Sequence, residues 1–321
     1  MRLLPPLLTV VIFALILRRI PAARLVEALG RADIAAFLLL MIPNSVIYFA
    51  WDTFLLAKVI GWFHGRVRYS ELLPVRAVSY VVALLQTQVA QFSMALYLRQ
   101  KLQAPFLRLA GTVLFITLVE ITHLALWAAA GMLLFRETIP RELFIIPAAF
   151  AGFWALFVSW LRLTAPQAGE EATAPERFSI GMLLRPGHWE ICRTFVHAPP
   201  KRYAQFIALR APLFFLALVF HWQAVRTFGM EIPFPQMLAF LPIIFVIGAV
   251  PLTVGRLGTT QAAWIFFFSP FADPASILAY SLAAHATFML SRGALGLLFV
   301  PRAYRELAGV TARRVPAQES V

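Results

Sequence analysis

Cysteine is nearly absent from this chain. Cys192 stands alone, which excludes an internal disulfide and a thiolate metal cluster. Acidic residues are scarce as well, 15 Asp and Glu against 28 Lys and Arg, for a net charge of +13. Charge of either sign makes up only 13% of the residues, against about 25% in an ordinary soluble domain, so a soluble globular fold is excluded. The basic excess sits in short loops between apolar runs. No basic stripe with interleaved aromatics is present, so nucleic acid is not expected as a partner and anionic lipid headgroups are. There is no nucleophile elbow, no phosphate-binding glycine loop and no His-rich metal signature. Neither a cofactor nor a metal is expected, and the loop residues His188 and His197 read as surface groups.

What is abundant is apolar sequence, 61% of the residues. The runs are long and do not alternate, which favours helices over a barrel. At roughly 20 residues per crossing the chain holds about eight or nine spans. The fold class is therefore an all-α integral membrane protein, one polytopic domain over residues 1–321. Spans are expected at 3–17, 34–57, 75–98, 107–135, 143–160, 203–222 and 275–300, with a broken or re-entrant helix pair near 241–270. The N-terminal run is followed directly by Arg18 and Arg19, so it reads as a retained span rather than a removable signal. PAARLVEALGRA after it has helical apolar spacing and suits the membrane interface, and Asp33 is placed to cap the next helix. Residues 162–200 form the longest polar loop. A tally of Lys and Arg favours that loop and the tail on the inside, in a bacterial plasma membrane.

Polar groups inside apolar runs are costly, so each needs a reason. The stretch LPIIFVIGAVPLTVGRLGTTQAAWIFFFSP is apolar at both ends and interrupted by Pro251, Thr253, Gly255, Arg256, Gly258, Thr259, Thr260 and Gln261. Irregular backbone persists at bilayer depth only where protein buries it or where it lines a watered cavity. Gly255 and Gly258 would free backbone N–H groups to meet an anion beside Arg256. A plain re-entrant turn with Arg256 reaching the interface is the alternative. Gln86, Gln88 and Gln91 crowd the third run and cannot share one helix face, so that run meets a polar cavity or is not a regular helix. Asn44 and Asp52, eight apart, do share a face. The simple reading makes Asn44 the partner of a carbonyl freed by Pro43 and puts Asp52 near an interface. Glu120 and His123 share a face at i, i+3, and one Glu-x-x-His is too little for a metal site. Arg292 lies too deep to snorkel easily. It would pair with Glu120, with Asp52 or with a lipid phosphate, which a guanidinium grips bidentately.

The interrupted stretch resembles the transmembrane region of the lysylphosphatidylglycerol synthase/flippase family. That family's pattern there is about P-x-T-P-G-G-L-G-x-x-E-A. PLTVGRLGTTQAA keeps Pro251, Thr253, Gly255, Leu257, Gly258 and Ala262, while Val254, Arg256 and Gln261 replace a proline, a glycine and the acidic residue. The fourth span, with VEITHL, keeps Glu120 of a Glu-Arg-x-x-Asp pattern, and His123 is its next ionisable group. The resemblance implies movement of a lipid or lipid-linked headgroup. The cavity would be lined by Thr253, Gly255, Arg256, Gly258, Gln261, Glu120, His123, Arg292 and Gln88. Two-part relatives carry a soluble synthase domain after this region, and the chain ends about twenty residues past its last span, so that activity is not expected. With Gln261 in place of the acid and Arg256 in the loop, an anionic phospholipid or a lipid-linked glycan is a better expected ligand than a cationic aminoacyl lipid. Two other readings are a lipid-modifying enzyme using Glu120 and His123 as acid and base, and an accessory subunit of a glycolipid or polyprenol-linked pathway. A homo-oligomer or a partner biosynthetic enzyme accompanies these expectations.

Overall fold

A computed structural model describes residues 4–85, 87–137, 140–164, 189–249, 253 and 256–312, with the side chains at 4, 84, 85, 87, 88 and 306–312 outside that description. The described regular elements are helical throughout. In chain order they are α1 (Leu4–Arg19), α2 (Ala22–Arg31), α3 (Ile34–Phe63), α4 (Tyr69–Leu85), α5 (Thr87–Leu102), α6 (Phe106–Leu134), α7 (Ile145–Thr164, entered through a single 3-10 turn), α8 (Arg193–His197), α9 (Pro200–Arg226), α10 (Phe234–Ala249), α11 (Thr259–Phe268) and α12 (Pro274–Ala312).

Five of these stretches are long and apolar enough to cross a membrane: α3, α6, α7 with its entry turn, α9 and α12. The pair α1–α2, bent by 81°, brings the total to six. The bend falls where Arg18 and Arg19 end the apolar run. No residue of α2 is fully buried, but its Leu25, Ala28 and Leu29 pack on the core, as an interfacial helix should. Asp33 caps α3, its carboxylate accepting from Ala36 N at 3.0 Å.

The run expected as a single span at 75–98 is two helices instead. Arg76 Nη1 lies 3.7 Å from Met94 Sδ, and Lys101 Nζ donates to Glu71 O at 2.9 Å. Residues whose numbers sum to about the same value face each other, so α4 and α5 lie antiparallel as a hairpin. With 17 and 16 residues each is about 25 Å long, short of the roughly 30 Å hydrocarbon layer. A second hairpin joins α10 and α11. Phe240 stacks on Phe267 at 5.0 Å and meets Phe268 at 5.8 Å, and Gly248 sits beside Thr260.

The hairpins enter from opposite ends of α3. Leu72, Val75 and Met94 share an apolar cluster with Leu56 and Ile60, in the C-terminal half of α3. Met237 and Leu241 share another with Phe37 and Met41, near its N-terminus. Asp33 N donates to Thr227 O at 2.8 Å, tying the start of α3 to the chain leading into α10. Helix α12, 39 residues long, runs past both hairpins. Tyr280 packs on Trp264 of α11 at 5.0 Å, and Gly296 lies against Ala77 O of α4. On the other side α6 presses on α10 at Gly131, where a Cβ would stand 2.9 Å from Ala239 Cα, so only glycine permits that approach.

Candidate functional site

The free ends of the two hairpins border one cavity of about 500 Å³, closed by α3, α6, α9 and α12. Its polar wall is built on Asp52, which is 5% exposed. Arg76 of α4 donates to Asp52 Oδ2, Arg210 of α9 donates to Oδ1, and Tyr80 OH donates to Oδ2 at 3.2 Å. The other Arg210 Nη donates to Tyr48 OH at 2.5 Å and to Glu120. Tyr48 OH donates to the same Glu120 oxygen at 3.3 Å. Two carboxylates and two guanidiniums thus satisfy one another across α3, α4, α6 and α9. Such a set survives burial because each charge has a charge-assisted partner.

Asp52 is therefore the hub of the wall rather than a residue near an interface. Arg210, 3% exposed, and Arg76 belong to this wall, and sequence reading passed both over. Arg76 stands at the edge of the run 75–98 and Arg210 inside the run 203–222, and neither was weighed as a site residue. The signal that could have found them is an unpaired acid at helix depth, which demands a basic partner somewhere. Asn44 lines the cavity on the same face as Asp52, and its Oδ1 has no hydrogen-bond partner among the described residues.

The expected site residues separate into two groups. Glu120, Arg256 and Arg292 line the cavity. Arg292 pairs with neither Glu120 nor Asp52. Its guanidinium lies over the rings of Tyr80 and Phe288, 4.4 and 4.0 Å from their centroids. Arg256 projects from the tip of the second hairpin in the left-handed region, φ 67°. Thr253, Gly258, Gln261 and His123 are not part of the lining. Thr253 and Thr259 hydroxyls meet at 3.0 Å inside the turn. Gly258, φ 89°, gives its N–H to Gln261 Oε1 at 2.7 Å, and Gln261 is 0% exposed. The Gln261 amide thus ties the first turn of α11 from behind, which is why a change of acid to amide there bears on the turn and not on the cavity's charge. His123 Nε2 accepts from Trp127 Nε1 at 2.9 Å, and its ring packs on Phe214. Gly255 and the side chain of Gln88 lie outside the described residues. Gln91, named with Gln88 in the amide-rich run but not among the expected site residues, lines the cavity and accepts from Thr117 of α6 at 2.9 Å.

Four buried polar atoms on the lining have no hydrogen-bond partner among the described residues: Asn44 Oδ1, Arg76 Nε, Thr260 Oγ1 and Arg292 Nε. Leaving such a group bare costs about 1–3 kcal/mol, so a cluster of four marks a place for water or a polar ligand. Among the described residues no group of three His, Cys, Asp or Glu side chains forms that could hold a metal.

Comparison with curated proteins finds no match to this chain. The family described as the lysylphosphatidylglycerol synthase TM region matches residues 2–296, which includes all of α3–α11, both hairpins and the whole cavity. The chain accordingly belongs to the family of the lysylphosphatidylglycerol synthase transmembrane region and is an integral membrane protein.

Proposed function

We propose that this protein receives the polar head of a membrane lipid between its two hairpins and carries it across the bilayer while the acyl chains stay in hydrocarbon. One observation carries the reading: the unsatisfied polar atoms of the lining converge where two opposed hairpins end. Opposed elements of this kind around a site at mid-depth are how transporters expose one site to either side in turn. The hydrogen bonds that Asn44, Thr260 and Arg292 lack are those a solvated headgroup can provide. Purely structural packing would have filled the space with apolar side chains.

The catalytic alternative has less to stand on. Glu120 is engaged by Arg210 and Tyr48, while the His123 ring faces Trp127 and Phe214. An acid and a base that do not meet at one opening have no shared substrate position.

The test is reconstitution into liposomes containing a tail-labelled fluorescent phospholipid, with a membrane-impermeant quencher added outside. Wild-type protein should let the quencher reach the inner-leaflet label. Arg256→Gln and Arg292→Gln should each slow that phase by about tenfold, the worth of one charge-assisted hydrogen bond, with a melting temperature no lower than that of the wild type. Wild-type vesicles that quench only to the level of protein-free ones would end this reading.

A further inference from the structure

Charge around the cavity does not balance. Asp52 and Glu120 supply two negative charges, and Arg76 and Arg210 already occupy both. Arg256 and Arg292 bring two more positive charges to the same lining, and among the described residues neither makes an ion pair or a side-chain hydrogen bond. Two guanidiniums at one poorly solvated cavity repel each other and lose hydration, and a bound anion reverses both effects. The geometry at Arg292 supports the same need. Stacking on Tyr80 and Phe288 uses the face of the guanidinium and leaves its N–H edge, the part that grips phosphate, unengaged. Its Nε has no partner, and neither does Thr260 Oγ1, one turn past Arg256 on the hairpin tip.

We infer that the headgroup carries two negative charges on a terminal phosphate or diphosphate, held between Arg256 and Arg292 with Thr260 as a further donor. A phosphodiester brings one charge and leaves one guanidinium uncompensated. An aminoacyl lipid adds positive charge to a lining that already has an excess. The inference rests on the headgroup-carrier reading and narrows its substrate. The same terminal phosphate could come from a lipid or from free inorganic phosphate, so the experiment includes both.

Protein in phosphatidylcholine liposomes at pH 9, well above the second pKa of about 6 of a phosphorylated side chain, so that a lipid phosphomonoester is mainly a dianion, is offered tail-labelled phosphatidic acid, phosphatidylglycerol or lysylphosphatidylglycerol. Phosphatidic acid should move about tenfold faster than phosphatidylglycerol, and the lysyl lipid slowest. The Arg256→Gln/Arg292→Gln double variant should lose the preference while keeping its melting temperature, since the Asp52 network is intact in it. Added inorganic phosphate should slow phosphatidic acid by competition. Equal rates for the three lipids, or a faster lysyl lipid, overturn the inference and leave the carrier reading standing. Stabilisation of the wild type by inorganic phosphate, with no lipid moved, keeps the phosphate site and removes the carrier. A protein that neither moves any lipid nor responds to phosphate loses both.

Discussion

At the scale of single residues, two kinds of arginine share this interior. Arg76 and Arg210 are held by Asp52 and, for Arg210, by Glu120. Arg256 and Arg292 are not held by any acid described. The two kinds predict opposite stability effects. Truncating one member of a buried charge set leaves its partners uncompensated and costs about 3–5 kcal/mol. Asp52→Ala should therefore destabilise the protein by that order. Arg256→Gln and Arg292→Gln should leave the melting temperature level or raise it, because like-charge repulsion is relieved. A thiol-reactive dye reporting on Cys192, buried at 6% exposure, follows unfolding without added labels. An Asp52→Ala protein that melts with the wild type would show the network is not what holds α3, α4 and α9 together. Sequence placed Asn44, Glu120 and Arg292 inside apolar helical runs, which the apolar context alone decides, and it set Asp52 near an interface instead of in the buried wall. It did not tell paired from unpaired, because Arg210 and Asp52 stand 158 positions apart.

Helices and turns differ in how far they announce themselves. The break between α10 and α11 is written locally: Gly258 adopts φ 89° and Arg256 φ 67°, conformations that an uninterrupted helix does not offer. The break between α4 and α5 has no such mark. LLQTQ contains neither glycine nor proline, and only its crowded amides, which left a polar-facing helix and an irregular one both open, hint at a break. Only the pairing of α4 with α5, through residues such as Arg76 and Met94, and of α4 with α12 turns the chain back. The turn into α11 yields its own prediction. Gln261→Ala removes the acceptor for Gly258 N–H and should lower stability by about 1–3 kcal/mol. It should leave the ranking of lipids by headgroup charge as it is, because the side chain sits behind the turn. A changed ranking in Gln261→Ala would place that amide in the cavity after all.

For the molecule as a whole, two hairpins that return to their own side change the count of crossings. Taking the bent α1–α2 pair, α3, α6, α7, α9 and α12 as six crossings, one face collects 17 Lys and Arg and the other 7, with Arg76, Arg210, Arg256 and Arg292 between them. The richer face carries the segments after α3, after α7 and after α12, and the positive-inside bias assigns it to the cytoplasmic side. Cysteine scanning in a Cys192→Ser background tests this. With a membrane-impermeant maleimide on intact cells, Glu231→Cys, at the base of the second hairpin, should label. Arg68→Cys, at the base of the first, should label only after permeabilisation. Labelling of both from one side would remove the opposed arrangement on which alternating exposure depends.

Sequence alone decided that the chain lives in a membrane, that it is helical, and that regular structure fails around Gly258. Each of these follows from local apolarity or from backbone conformations open to few residue types, so neighbours in sequence suffice. Tertiary structure alone decided that 75–98 folds back on itself, that Gln261 serves a turn, and which arginines are left without an acid. Those outcomes depend on which groups meet across the fold, and a charge in low dielectric is defined by its nearest partner in space rather than its place in the chain.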